Sequence, residues 1–174
     1  MWFPAPDAEP VTLDEAKAQL RILETDQDAL ISRLISAARA YCEAYTGQLF
    51  ASRDLELASE SFAGLERLPV APVTAVTSIG YVDSAGEAQT LDASVYEVRL
   101  NEYPASIVLA PGQSWPATQS GSRIAVNVTA GRAPEDVKHA ILLHVAESFE
   151  RAENVPAERW TAVDCLLANH RVYL

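Results

Sequence analysis

Histidine and cysteine are the side chains with which a small protein most readily binds a metal or attacks a carbonyl, and this chain has three of the first and two of the second. His139 and His144 stand five residues apart in a stretch of helical periodicity, so they point to different faces. A chelating pair needs a spacing of about three or four. His170 adds no nearby partner. Cys42 and Cys165 each fall inside an apolar helical pattern, the setting of a buried, inert thiol and not of a nucleophile in an electropositive cleft. A disulfide between them is possible but unneeded. The chain holds no Gly-x-Ser-x-Gly, no P-loop, no Gly-x-Gly-x-x-Gly and no Cys-x-x-Cys. Its 24 carboxylates are so numerous that any chosen pair is weak evidence for acid-base chemistry. The reading is of a protein that is not an enzyme, with no catalytic, metal or cofactor-binding residue.

The composition supports that direction. A net charge of −11 argues against gripping nucleic acid, because neutralising phosphates takes a surplus of Lys and Arg. It leaves room for a wall past which DNA slides without sticking. With 49% apolar and 21% charged residues in 174, the chain can build one full core and a satellite lobe. No apolar run reaches the eighteen or so residues of a membrane span, and no secretory leader is present, so a cytosolic chain is expected. Asn127-Val-Thr129 matches a glycosylation sequon, which in a strand of such a protein is chance.

Two long periodic segments frame the chain. In residues 134–153, Val137, Ile141, Val145 and Phe149 recur every fourth position, with Leu142 and Ala146 widening the stripe, and Pro134 with Glu135 and Asp136 marks a helix start. In residues 27–46, Leu30, Leu34, Ala37/Ala38, Tyr41 and Tyr45 keep helical spacing, with Ile31, Ile35 and Cys42 beside them and Gly47 placed as a left-handed cap. Thr12 and Glu15 form a capping box for a short helix ending near Leu23. A last short helix is expected from about Glu158 to His170, with Val163, Leu166 and Leu167 on one face.

Between Phe50 and Ala130 the period changes to two. Strands are expected at Leu55–Leu57, Val76–Val82, Gln89–Leu91, Tyr96–Leu100, Ile107–Leu109 and Arg123–Thr129, with Leu68–Val73 as an extended linker. With no helix among them, these make an antiparallel sheet or small barrel. The fold class is therefore α+β: a helical body (12–49 and 131–174) with an inserted antiparallel β lobe (50–130) and an N-terminal arm (1–11). On that proline-rich arm, Trp2 and Phe3 either tuck back on the body or insert into a neighbouring subunit. A chain with such tails and no site suggests a subunit that finds its partners in an assembly.

Four strings, in order, carry a resemblance: Val11-Thr-Leu-Asp-Glu-Ala-Lys-Ala-Gln-Leu-Arg21, Asp28-Ala-Leu-Ile-Ser-Arg-Leu-Ile-Ser-Ala-Ala-Arg39 with Tyr41 and Tyr45-Thr-Gly47, Leu68-Pro-Val-Ala-Pro-Val-Thr-Ala-Val-Thr-Ser-Ile-Gly-Tyr-Val-Asp83, and Val137-Lys-His-Ala-Ile-Leu-Leu-His-Val-Ala146. Together they resemble the head-tail connector (adaptor) proteins of long-tailed bacteriophages, prophages and phage-like gene transfer agents. The resemblance implies a structural subunit in a ring of about twelve copies beneath the portal protein, extending the DNA channel and offering the tail a docking surface. It implies a place in the virion at the head-tail interface, after assembly in the host cytoplasm. The partners it implies are the portal, a tail terminator, stopper or other tail-proximal protein, further copies of the chain, and DNA passing without specific binding; no membrane is involved. Carried onto this sequence, it makes Leu166, Leu167, Arg171, Val172, Tyr173 and Leu174 candidates for portal docking. The alternatives are a small β-lobe binding module of a prophage-type cytosolic protein, and an unrecognised hydrolase.

Overall fold

The computed structural model describes residues 4–150 and 161–172. The chain is α+β, as the two periodicities predict, and it divides into two compact units. One comprises Pro6–Ser52 and the described residues from Arg132 onward; the other holds Arg53–Gly131 with Pro4 and Ala5.

The helical unit contains α1 (Leu13–Leu20), α2 (Asp28–Thr46), α3 (Glu135–Glu150) and α4 (Ala162–Leu167), the last followed by a 3-10 turn at Ala168–His170. The capping box opens α1: the Thr12 hydroxyl accepts from the Glu15 N–H at 3.2 Å, and the Thr12 N–H donates to the Glu15 carboxylate at 2.7 Å. The helix stops at Leu20, three residues before the expected end, because Arg21 turns left-handed at φ 58° and the Ile22 N–H bonds back to the Lys17 carbonyl. Gly47 caps α2 at φ 75°, its N–H on the Glu43 carbonyl.

The buried face of α2 is Ile31, Ile35, Ala38, Cys42 and Thr46, one residue further on than the leading stripe of the sequence reading. Leu34 and Tyr45 sit at its margin, while Leu30 and Tyr41 remain 38% and 39% exposed. In the second half of the helix Ala38 and Cys42 fill the seam and the bulkier Tyr41 and Tyr45 are left at its edge. Val137, Ala140, Ile141 and Val145 of α3 close on the same core, with Leu142 and Phe149 half-buried against it. Val163 and Leu167 of α4 complete the cluster, and so does Val11, which makes the end of the arm a core element. The arm is tied down further by Glu9, which receives the Arg39 guanidinium and the Ser36 hydroxyl, each at 2.7 Å.

In the β unit, β1 (Arg53–Ser59), β2 (Val73–Val82), β3 (Ala88–Thr90) and β6 (Ile124–Ala130) form an antiparallel sheet of order β1-β6-β2-β3, and β4 (Tyr96–Arg99) pairs with β5 (Ser106–Leu109) in a second ribbon. Leu55 faces Val128 and Leu57 faces Val126, so the alternating apolar residues of both strands share one buried face. The expected linker at Leu68–Val73 is core: Leu68, Val70, Ala71 and Val73 are buried, and β2 begins at Val73. A 3-10 turn at Phe62–Glu66 had no periodic signature; it buries Phe62 and Leu65, and Phe62 stacks on Trp115 at 4.6 Å. Among the described residues no helix is long and apolar enough to cross a membrane.

The stripe of α3 can be tested at two neighbours. Ile141 is fully buried and Leu142 is not. We expect Ile141→Asp to cost about 3–5 kcal/mol in urea unfolding, as an unpaired buried carboxylate does, and Leu142→Asp distinctly less. Equal losses would mean the packing face has been misplaced.

Candidate functional site

The residues that could do chemistry are kept apart. Cys42 is fully buried and its thiol is pushed up to about 12, chiefly by that burial, so it is no nucleophile at neutral pH. Cys165 is free and exposed, contrary to the buried thiol expected: α4 turns Val163 and Leu167 inward and leaves position 165 on the far side. His139 faces solvent. His144 stacks on Tyr41 at 4.6 Å with planes 8° apart, and burial lowers its pKa, favouring the neutral ring. His170 pairs with Asp136 at 2.7 Å. Among the described residues no three His, Cys, Asp or Glu side chains are grouped to hold a metal. A depression of about 340 Å³ over the polar face of the sheet is lined by Asp54, Glu56, Thr77 and Asn127, and one of about 200 Å³ by Leu57, Leu65, Leu68 and Pro69. Neither contains a histidine or a thiol.

What the structure does build with care is the seat of the C-terminal segment. Thr161 and Asp164 form a second capping box, with the Thr161 N–H on the carboxylate at 2.8 Å and the Asp164 N–H on the hydroxyl at 3.2 Å. The other Asp164 oxygen accepts from the Tyr41 hydroxyl at 3.1 Å, which ties α4 to α2. Beyond α4, the Gln48 amide donates to the His170 carbonyl at 2.6 Å, and the Val172 N–H donates to the Thr46 carbonyl at 2.7 Å. The His170 ring stands edge-on to Phe50, and the Arg171 guanidinium lies 5.1 Å above the centre of the Tyr45 ring. Gly47 is required twice here: its φ is left-handed, and a Cβ on it would come within 2.8 Å of the Val172 carbonyl oxygen.

This seat sorts the candidate docking residues. Leu167 is fully buried and belongs to the core. Leu166 is half-buried against the same cluster, Val172 is half-buried, and Arg171 is exposed. Tyr173 and Leu174 lie outside the described residues, as do Trp2 and Phe3 of the arm. Sequence reasoning missed Tyr41, Tyr45 and Gln48 as the segment's receptor. Tyr41 and Asp164 are 123 positions apart, and no local pattern announces such a pairing.

Three outcomes follow from this geometry. One thiol of the native protein should react quickly with a disulfide reagent and be lost in Cys165→Ser; two fast thiols would contradict the burial of Cys42. Deleting residues 161–174 should unfold the helical unit in thermal melts, since it removes Val163 and Leu167 from the core. The third concerns pH. The hydrogen bond from His170 holds the Asp136 carboxyl below its ordinary value. The stability this contributes is fully present above the unfolded pKa of about 3.9 and is lost as pH falls through the lower folded value. Asp136 is half-exposed, so Asp136→Asn should cost under about 1 kcal/mol at pH 7 and flatten the acid limb of the stability curve. An unchanged acid limb would remove the pair from the account.

Comparisons with known proteins give this fold its relatives. A family model described as "Phage gp6-like head-tail connector protein" matches residues 10–104, more than half of the chain. None of the curated proteins matches it. Among solved structures, a chain in the neck of an empty gene transfer agent particle, computed with C6 symmetry, shares the fold at TM-score 0.78 and 24% identity, over 99% of this chain and 94% of that one. A chain of the virion of a native gene transfer agent particle matches at TM-score 0.77 and 25% identity, over 98% and 94%. A chain in the neck of a native particle, computed with C12 symmetry, matches at 0.69 and 26%, over 91% and 88%. The chain belongs to the phage gp6-like head-tail connector family.

Proposed function

We propose that this connector is the adaptor subunit of a ring of about twelve copies beneath the portal of a tailed phage or a phage-like gene transfer agent. A connector is a structural part of a particle, and the chain is accordingly a structural, non-enzymatic protein. In the proposed ring it extends the DNA channel and gives a tail-proximal protein, such as a terminator or stopper, its docking surface. The observation that carries this reading is the match of nearly the whole fold to subunits of gene transfer agent necks, one of them computed with C12 symmetry. The charge of −11 supports it, since an acidic conduit repels the genome and lets it pass without adhesion.

Within the subunit, residues 12–49 and 131–174 act as the ring-building body and 50–130 as the inserted lobe. Portal docking runs through Leu166, Arg171 and Val172 with the following Tyr173 and Leu174. Leu167 serves it from below by anchoring α4. Trp2 and Phe3, which precede Pro4 in sequence, contact a neighbouring subunit.

The test mixes purified chain with the portal protein of the same particle and images the product by negative-stain microscopy. Rings stacked on the portal are expected, and complexes without rings would refute the adaptor assignment. Arg171→Glu combined with Leu166→Ser should weaken portal binding at least tenfold in a chain that still melts cooperatively, a few degrees lower for the lost Tyr45 contact and the half-buried leucine. Undiminished binding would move the docking surface elsewhere.

A further inference from the structure

The edge strand of a sheet presents a row of backbone N–H and C=O groups without ladder partners, and proteins blunt such edges with short strands, bulges, proline or lysine. In the order β1-β6-β2-β3 the two edges are treated differently. β3 is only three residues long. β1 has seven residues in unbroken register with β6, and its sequence Arg53-Asp-Leu-Glu-Leu-Ala-Ser59 holds neither proline nor lysine. Among the described residues no strand lies on its other side.

A second observation flanks the same edge. On the polar face, Asp54 and Glu56 line the depression of about 340 Å³ with Thr77 and Asn127. Asp54 accepts from the Thr129 hydroxyl at 2.7 Å, and the Glu56 carboxylate has no partner among the described residues. On the side of the buried Leu57 and Val126, the apolar depression of about 200 Å³ lies between the end of β1 and Gly64–Pro69. A strand added to an edge sends its side chains alternately to the two faces, so its backbone gives affinity and the flanking recesses give specificity. We propose that the free edge of β1 receives an extended segment of another protein of the particle as an added strand. Lys or Arg at alternate positions of that segment lie over Asp54 and Glu56, and an apolar side chain enters the recess beside Leu57. The inference rests on the connector reading and adds to it a place and a chemistry for one partner.

Charge and sequence select the occupant. Asp54 and Glu56 stand two positions apart on one face of the strand, and the cations that meet them on a neighbouring strand must do the same. A second copy of this chain has no such segment: of its 13 Lys and Arg no two are separated by two positions, and the closest, Lys17 and Arg21, are four apart. Two β1 edges side by side would gather their carboxylates on one face, where like charges destabilise the pairing. Nucleic acid is repelled by the same groups. A protein segment alternating basic and apolar side chains is what fits.

The experiment places the photo-crosslinking residue p-benzoylphenylalanine at Ala58, which is exposed on β1, and irradiates assembled particles. The expected crosslinked peptide comes from a different protein and carries Lys or Arg at positions i and i+2. Hydrogen exchange of the amides of residues 53–59 should be at least tenfold slower in particles than in the isolated chain, as strand pairing requires. Glu56→Lys should reduce the crosslink at least tenfold while rings still assemble on the portal. A crosslink to this chain itself, a partner peptide without the alternate cations, no crosslink at all, or unchanged exchange would each overturn the added strand and leave the connector reading standing. If the chain is missing from purified particles, the connector reading fails, and the added strand with it.

Discussion

The molecule depends on the burial of one apolar seam between α2 and α3, because the segments that form it come from opposite ends of the chain. Ile31, Ile35, Ala38 and Cys42 precede the β unit in sequence, and Val137, Ala140, Ile141 and Val145 follow it. Neither helix is stable alone in water, since an isolated amphipathic segment of this length loses more conformational entropy than its own hydrogen bonds return. The seam therefore has to close across an excursion of nearly eighty residues. The chain eases that closure by pairing the first and last strands of the excursion, Arg53 opposite Ala130, and by bonding the Arg132 N–H to the Leu49 carbonyl within the helical unit. A lobe whose ends are brought together in this way can be inserted without a large loop-closure cost, which grows only slowly with length.

The same seam sets what the C-terminal segment can do. α4 is too short to fold by itself and is held by Val163 and Leu167 below, by the Tyr41 hydroxyl on Asp164, and by the backbone bond from Val172 to Thr46. A segment so held is no loose tail: its inward half belongs to the core, and its outward half carries Cys165 at the surface. The division falls between adjacent residues, Leu166 and Leu167, as it must on a helix, where a step of one position turns the side chain by about 100°.

Much of the architecture was legible in local pattern. The capping box at Thr12, the cap at Gly47, the alternation of Ile124, Val126 and Val128, and the stripe of α3 are each written within a few residues of one another. What sequence did not reveal is of two kinds. Where apolar residues are broad on a helix, as on α2, periodicity gives the direction of the core only to within a residue, and tertiary packing chose Ile31 over Leu30. Where a contact joins distant positions, as with Gln48 and the His170 carbonyl or Phe62 and Trp115, no local signal exists. The portal-docking candidates came from resemblance alone, and the structure adds that Leu167 among them is buried in the core.

A connector needs its polar side chains for position more than for reaction. An enzyme concentrates its polar side chains where a substrate sits, at some cost to stability. Here the polar side chains with two or more partners serve position: Glu9, Arg39 and Glu43 fix the arm and the exit of α2, and Asp164 joins a helix cap to Tyr41. Such networks are costly to half-satisfy, so they define one arrangement of the elements sharply. In a ring, an error in the angle of one subunit is repeated at every interface, and closure fails when the errors add. On the ring reading, such a subunit is under stronger demand for a rigid frame than for reactive groups, and Glu9, Arg39, Glu43 and Asp164 supply part of that frame.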